Sequence, residues 1–361
     1  MKLYIVTGEK SGDLQASLLV EKLYVVNNNI KIRAFGGEHL KKTGVEISSE
    51  INRTSVMGLT NVLIQINTIR KKINFCKIDV LKFNPDAIIL VDYPAFNLRI
   101  AKFAKEHGIQ VFYYIAPKVW AWNKSRLSKI KKYIDSLLVI FPFEVDFFKK
   151  NNIDAIYVGN LLVSYINKFK FNKLHISKKN IIAVLPGSRK QEISKILPIM
   201  LSVSSSFKKY QFVIAGISDF GNEFYESFIN CDNIEVRYDS TYSLLSESKF
   251  ALVTSGTATL EVSLFNIPQI VCYKTDWITY LFARLFVKIK FISLVNIIFN
   301  KYIVPELIQS QLNTPNLMKH VKQLVNGHYN RDYQNIQQIF ETNQSTDPAK
   351  YILDKINQSF D

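Results

Sequence analysis

Four stretches of this chain combine residue types and spacings that could do chemistry. Thr7-Gly8-Glu9-Lys10-Ser11-Gly12-Asp13 sets two glycines among small polar residues, ahead of a segment patterned by Leu14, Leu18, Leu19 and Leu23. Such a turn lets a ligand approach the backbone at a helix N-terminus. The same residues also describe a plain tight turn with Asp13 as N-cap. The spacing is neither that of a Walker A loop nor that of a full dinucleotide glycine fingerprint, which argues against ATP or NAD. Asp92 closes an apolar run and is followed by Tyr93-Pro94-Ala95-Phe96-Asn97. A desolvated carboxylate at a strand end can take a proton from a substrate hydroxyl; the competing reading is an Asp that caps the next helix.

The other two stretches have the composition of anion cradles. Ile181 to Leu185 leads into Pro186-Gly187-Ser188-Arg189, where Gly187 permits a close turn and Ser188 can donate to a phosphate oxygen. Arg189 can make the planar, two-pronged contact that diphosphates favour. Ala251 to Val253 leads into Thr254-Ser255-Gly256-Thr257-Ala258-Thr259-Leu260-Glu261. Hydroxyls and amides opening a helix can seat an anion, and Glu261, one turn in, can hold a ribose diol. Either loop alone is a common helix start. Both on neighbouring strands of one domain favour a nucleoside diphosphate.

Parallel strands must place these loops, because the carboxyl ends of such strands are where open α/β sheets bind ligands. Short apolar runs alternate with helix-length amphipathic segments, so the fold class is α/β. Strand candidates are Leu3 to Val6, Ala87 to Val91, Val111 to Ile115, Leu137 to Ile140 and Ala155 to Val158 in the first half. In the second they are Ile181 to Leu185, Phe212 to Ala215, Phe250 to Val253 and Gln269 to Cys272. A length of 361 residues exceeds one core and suits two, since single cores stop growing near about 250 to 300 residues. The polar, lysine-rich interval Asn160 to Asn180 is expected to link domains over residues 1–160 and 178–340. The expected architecture is two Rossmann-like domains facing across a cleft.

Composition narrows the partners. With 48% hydrophobic and 21% charged residues the chain can fill two interiors, which excludes a disordered or low-complexity protein. Cys76, Cys231 and Cys272 are odd in number and far apart, as expected in a reducing cytoplasm. The net charge of +16 predicts an anionic partner. No nucleic-acid recognition motif accompanies the lysines, so a membrane surface is expected rather than nucleic acid. The chain is not expected to span a bilayer: Arg284, Lys288 and Lys290 interrupt its most apolar region, Trp277 to Phe299, short of the roughly 18 apolar residues required. The N-terminal apolar run is too short for a signal peptide. His39, His107, His175, His320 and His328 lack metal-ligand spacing, so no metal is expected.

Taken in order, these stretches resemble the lipid-A-disaccharide synthase family of inverting GT-B glycosyltransferases. The resemblance runs through GEKSGD (Gly8 to Asp13), FGG (Phe35 to Gly37), VMGLTNVL (Val56 to Leu63), the strand ending in Asp92 with Phe96-Asn97, and PKVWAW (Pro117 to Trp122). It continues through FPFE (Phe141 to Glu144), LPGSRKQEI (Leu185 to Ile193), SGTATLE (Ser255 to Glu261), SLVN (Ser293 to Asn296) and VPELIQ (Val304 to Gln309). Three positions depart from the pattern: Ala95 where many members carry a second acid, Gly159-Asn160 for a common Gly-His pair, and Val295 for a proline.

The resemblance implies transfer of 2,3-diacylglucosamine from UDP-2,3-diacylglucosamine to the 6-hydroxyl of 2,3-diacylglucosamine 1-phosphate (lipid X), with no cofactor. It implies Asp92 and Arg189 as catalytic residues. Gly187, Ser188, Arg189, Ser255, Gly256, Thr257, Ala258, Glu261 and Asn296 would hold the UDP-sugar. Gly8, Glu9, Ser11, Gly12 and Asp13 would form an acceptor-side loop, and a C-terminal helix near residues 345–361 would pack back on the first domain. The implied location is the inner face of the cytoplasmic membrane of a Gram-negative-type bacterium, with a homodimer left open.

Membrane contact also has a sequence argument of its own. Leu59, Val62, Leu63, Ile66, Ile69 and Ile73 fall on one helical face, closed by Arg70, Lys71 and Lys72. That pattern suits a helix lying in a membrane interface, and equally a helix facing a core. Lys118 to Lys132 carries six Lys/Arg and no acid, either as a solvated face or against anionic headgroups. Two other functions remain open. Another GT-B enzyme, such as a UDP-GlcNAc 2-epimerase or a glycosyltransferase with a different lipid acceptor, would share the nucleotide half. A non-enzymatic basic protein binding membrane or nucleic acid would explain the charge alone.

Overall fold

The computed structural model describes residues 1–50, 62–120, 125–171, 177–277, 280, 290–342 and 345–359. Contacts divide the chain into two compact units, one of Met1–Leu162 with Phe340–Asp361 and one of Val163–Ile339.

The first unit holds seven strands among the described residues: β1 (Lys2–Val6), β2 (Lys31–Gly36), β3 (Glu46–Glu50), β4 (Ala87–Val91), β5 (Gln110–Tyr114), β6 (Ser136–Val139) and β7 (Ala155–Tyr157). All pair in parallel, in the order β3-β2-β1-β4-β5-β6-β7. Every residue of β4 is buried, because helices cover both faces of a parallel sheet and erase the alternation of polar and apolar positions. The order runs outward in both directions from β1 and β4. Their connections leave on opposite sides, which opens a crevice at the carboxyl ends of this pair.

The second unit repeats this plan with β8 (Ile181–Leu185), β9 (Gln211–Gly216), β10 (Ile234–Tyr238), β11 (Phe250–Thr254), β12 (Gln269–Tyr273) and β13 (Glu306–Ile308). The strands are parallel in the order β10-β9-β8-β11-β12-β13. Here the reversal of order lies between β8 and β11. The fold class is therefore α/β, built of two doubly wound sheets.

Part of the interval expected to be a linker is a helix, Leu161–Phe171, in which Leu161, Leu162, Val163 and Ile166 are buried. Its lysines, Lys168 and Lys170, fall in the last turn, where they complement the helix dipole and disguise the segment as a polar tract. The helix Pro348–Asn357 packs against the helix Lys10–Val26 within the first unit. Asp347 fixes its start by accepting from the amides of Ala349 and Lys350, and Lys22 reaches the same carboxylate at 2.7 Å.

The helix Val62–Phe83 tests the expected membrane face. Leu59 lies outside the described residues, as do the side chains of Val62, Leu63 and Ile66. At Ile69 the expectation is corrected: its side chain packs against the core of the first unit, in line with buried Ile73, Cys76 and Val80. A polar anchor sets this orientation. The Tyr4 hydroxyl donates to Asp79 at 2.6 Å, and Arg33 grips the same carboxylate with contacts of 2.9 and 2.7 Å. Phe75, Ile78 and Leu81 are consequently turned to solvent, with 46%, 68% and 48% of their surface exposed. Among the described residues no helix is long and apolar enough to cross a membrane.

Candidate active site

In the first unit the carboxyl ends of β1 and β4 bring Gly8 and Glu9 beside Asp92. Asp92 and Tyr93 both occupy the left-handed region, each with φ of 47°, which L-residues avoid unless their surroundings impose it. The imposing groups are visible. Asn97 Nδ2 donates to the Asp92 carbonyl at 2.8 Å and to the carbonyls of Val91 and Val6 at 3.2 and 3.3 Å. The Tyr113 hydroxyl donates to the Asp92 carbonyl at 2.5 Å. The Tyr93 ring stacks on Phe96 and lies over Gly8, where a Cβ would fall inside the ring. Gly8 is thus required by its neighbour.

The strained turn presents a half-buried Asp92 side chain to a charged surround. Burial raises its carboxyl above the ordinary carboxylate range; the Lys118 cation opposes that rise, Glu9 adds to it, and Arg126 opposes it. A carboxyl raised by burial with cations beside it suits a role in proton transfer. Two residues of the basic stretch from Lys118 to Lys132, Lys118 and Arg126, thus act on Asp92.

The rest of the first loop divides. The helix Lys10–Val26 already includes Ser11, Gly12 and Asp13, with Glu9 at its N-cap position. Asp13 is buried and does not cap its own helix. Its carboxylate accepts from the amides of Gly37 and His39 at 2.7 and 2.8 Å, which caps the helix Glu38–Lys42 and fixes the FGG turn. Asp13 and Gly12 are therefore framework, whereas Gly8, Glu9 and Ser11 retain exposed surface. Asn160, which replaces the expected histidine, is buried too, and accepts from Gln15 and from the amide of Leu162.

In the second unit β8 and β11 are hydrogen-bonded neighbours, so their loops lie side by side at the reversal of strand order. Gly187 has φ of 112°, and a Cβ there would collide with the Glu192 carboxylate. That carboxylate accepts from the Ser188 amide at 3.3 Å. Arg189 occupies the N-cap position of the helix Lys190–Leu201 and acts electrostatically on the Tyr273 phenol together with Glu192 and Asp276. Ser255 Oγ donates to the Ile292 carbonyl at 2.8 Å, which turns its loop so that Gly256 caps the helix Thr257–Leu264. Glu261 accepts from the Tyr242 hydroxyl, and burial pushes its carboxyl up to about 7 against that hydrogen bond.

Asn296 is corrected by the structure. It is fully buried, and its Nδ2 donates to the Val304 carbonyl and Glu306 Oε1 while its Oδ1 accepts from the amides of Ile303 and Val304. Every hydrogen-bonding position of the side chain is taken within the protein, so Asn296 shapes the loop rather than offering a free donor or acceptor. Its partner Glu306 also accepts from the amides of Ile292 and Ser293 and from Ser293 Oγ. Glu306, part of VPELIQ but without an assigned role, thereby supports the segment on which Ser255 leans.

These two pairs of loops lie along the length of a known family profile. The profile described as Lipid-A-disaccharide synthetase matches residues 3–355. The chain belongs to this family. Family members make glycosidic bonds in lipid A biosynthesis, which places the chain among glycosyltransferases. Lipid-A-disaccharide synthase 1 of Legionella pneumophila (strain Paris) is 36% identical over 335 residues, 89% of this chain and 87% of that protein. Lipid-A-disaccharide synthase of Coxiella burnetii (strain RSA 331 / Henzerling II) is 32% identical over 335 residues, 90% of this chain and 89% of that protein. Solved structures share the fold at low identity. A UDP-GlcNAc 2-epimerase from Neisseria meningitidis superposes with a TM-score of 0.67 at 15% identity, over 99% of this chain and all of that one. The glycotransferase of kitacinnamycin gives 0.65 at 10% identity, over 98% of each chain.

Set against the family stretches, the structure adds residues that the sequence left without a role. Asn97 and Tyr113 hold the Asp92 turn, and Arg126 faces it. Glu144, inside FPFE, is buried to 1% exposure and accepts from Trp120 Nε1 at 3.0 Å and from the Phe141 amide at 3.2 Å. Burial pushes its carboxyl up to about 7, with those hydrogen bonds and Lys118 opposing. A carboxylate three residues into a segment of aromatic residues was the available signal for Glu144. Among the described residues no group of His, Cys, Asp and Glu could hold a metal ion.

Proposed function

We propose that the chain transfers 2,3-diacylglucosamine from UDP-2,3-diacylglucosamine to the 6-hydroxyl of lipid X, giving the β-1,6-linked disaccharide 1-phosphate and UDP. The observation that carries this is Asp92: a carboxylate on a strained, triply stapled turn, raised by burial, at the switch point of the first sheet. Asp92 removes the proton as the acceptor oxygen attacks the anomeric carbon, and the bond from that carbon to the UDP oxygen breaks on the opposite face, inverting the configuration. Arg189 and the amides opening the helix Thr257–Leu264 stabilise the charge developing on the diphosphate. Glu261 holds the ribose diol. Fixed donors of this kind do the work a metal would otherwise do.

A diacylated substrate places the enzyme at a lipid surface. The exposed strip of Phe75, Ile78 and Leu81, bordered by Arg70, Lys71 and Lys82, is the described surface that suits an anionic bilayer, which fits peripheral attachment at the cytoplasmic face of the inner membrane. The decisive test is incubation with UDP-2,3-diacylglucosamine and lipid X. The expected products are the disaccharide 1-phosphate and UDP. Turnover of non-acylated UDP-GlcNAc without a disaccharide product would point instead to an epimerase.

A further inference from the structure

We propose that Lys118 is a positioning residue for the reaction, held beside Asp92 by a clamp in which buried Glu144 fixes the Pro117–Trp120 turn. The inference rests on Asp92 being the base. Three neighbouring strands put the parts together: Asp92 follows β4, the turn follows β5 and Glu144 follows β6, and these strands pair consecutively. The turn itself is short and tight, with the Val119 amide donating to the Pro117 carbonyl at 2.6 Å and Val119 buried in the core. Its far end is secured by the indole of Trp120, which donates to Glu144 at 3.0 Å and meets the Phe143 ring edge-on at 5.2 Å. Lys118 lies between Pro117 and Val119, both buried and joined by the hydrogen bond from the Val119 amide.

Lys118 acts on both carboxylates, opposing the effect of burial at Asp92 and at Glu144. Other groups facing Asp92 are Glu9 from the first loop, Arg126 from the helix Arg126–Tyr133, and the Tyr113 hydroxyl from β5. Glu9 and burial favour the neutral acid, whereas Lys118 and Arg126 favour the carboxylate. Glu144 cannot leave its place without giving up the indole and the Phe141 amide together. Its burial therefore serves geometry: the pair of hydrogen bonds sets where the turn ends, and the turn sets where the ammonium of Lys118 stands.

The test is the pH profile of kcat/KM for Lys118→Gln, Lys118→Arg, Trp120→Phe and Asp92→Asn, each with a thermal melt. Losing the cation raises the Asp92 pKa, so the ionised base is depleted most at low pH. Lys118→Gln should lose about tenfold in kcat/KM at the acid end of the profile and little at the alkaline end. Lys118→Arg should restore the wild-type limb. Trp120→Phe keeps an aromatic side chain but deletes the indole hydrogen bond to Glu144; it should show a smaller shift of the same sign, with a melt that is lowered but still cooperative, which covers the case of a Lys118 variant that folds poorly. An unmoved acid limb in Lys118→Gln and Trp120→Phe, beside an inactive Asp92→Asn, overturns the proposal while leaving Asp92 as the base. A raised acceptor KM with an unmoved limb also overturns it, because Lys118 would then hold substrate. An Asp92→Asn enzyme that turns over normally removes the base itself, and the inference falls with it.

Discussion

Asp92 shows how much chemistry one backbone conformation can carry. Two consecutive left-handed residues cost on the order of 1 to 3 kcal/mol each, and Asn97, Tyr113 and the Tyr93 ring hold them there. Asp92→Asn keeps the shape but cannot take a proton, so kcat should fall about 100-fold or more while UDP affinity is unchanged. In the unaltered enzyme only the ionised form is a base. Because burial raises this carboxyl, kcat/KM should climb with pH through a value above the ordinary carboxylate range, as a pH-rate profile would record. Glu261 makes a second prediction. With its carboxyl at about 7, the ionised form that accepts from a ribose diol grows between pH 6 and 8, so UDP should bind more tightly at the upper end. Glu261→Gln should flatten that dependence in calorimetric titrations. Asp92 and the two anion loops could be located in the sequence as polar residues closing apolar runs, but each alone fitted an ordinary cap or helix start equally, and only their order along the chain singled them out. The roles of Asn97 and Glu144 were not legible, because a staple depends on which backbone groups the fold brings to it.

Elements were legible in proportion to their burial. The fully covered strands β4, β8 and β11 read as continuous apolar runs. The edge strands β3 and β10, and β2 next to the edge, did not, because Glu-Ile-Ser-Ser-Glu, Ile-Glu-Val-Arg-Tyr and Lys-Ile-Arg-Ala-Phe-Gly carry charges toward a sheet margin that meets water. β13 is only three residues long, too short to show a period. Asn296 marks the same limit for the segment between β12 and β13, where its side-chain bonds join residues far apart in character but close in the fold. Asn296→Ala should destabilise the protein by about 2 to 4 kcal/mol, since it leaves the amides of Ile303 and Val304 and the Val304 carbonyl without their side-chain partner and removes one of the donors to Glu306. Denaturant melts check this. A large loss of UDP affinity with an unchanged melt would instead return Asn296 to the nucleotide.

At the scale of the whole molecule, charge and apolar surface combine. On the proposed peripheral attachment, the net charge of +16 would act on anionic lipid over about a Debye length, and the strip of Phe75, Ile78 and Leu81 would supply short-range adhesion. Replacing Phe75 and Ile78 by Ser should release the protein from vesicles containing anionic lipid, with no change in melting temperature. Replacing Ile73, which faces the core on the same helix, by Ala should cost about 2 to 4 kcal/mol and leave vesicle binding intact. Flotation and melts on both variants separate the two faces. The periodicity of this helix was visible in the sequence, but its buried side was not, because Tyr4 and Arg33, which pull Asp79 inward, come from distant strands.

The first unit is discontinuous, with Phe340–Asp361 completing what Met1–Leu162 begins, and this orders events on the ribosome. Val163–Ile339 is an uninterrupted stretch and can reach its final contacts while synthesis continues. The helix Lys10–Val26, which carries Ser11 and follows Gly8, waits for its covering helix Pro348–Asn357 until the second unit has been made. A nascent chain should therefore complete its second unit before its first is finished. Premature termination after residue 339 should leave a product whose early-made segment, not its late-made one, is exposed to proteases.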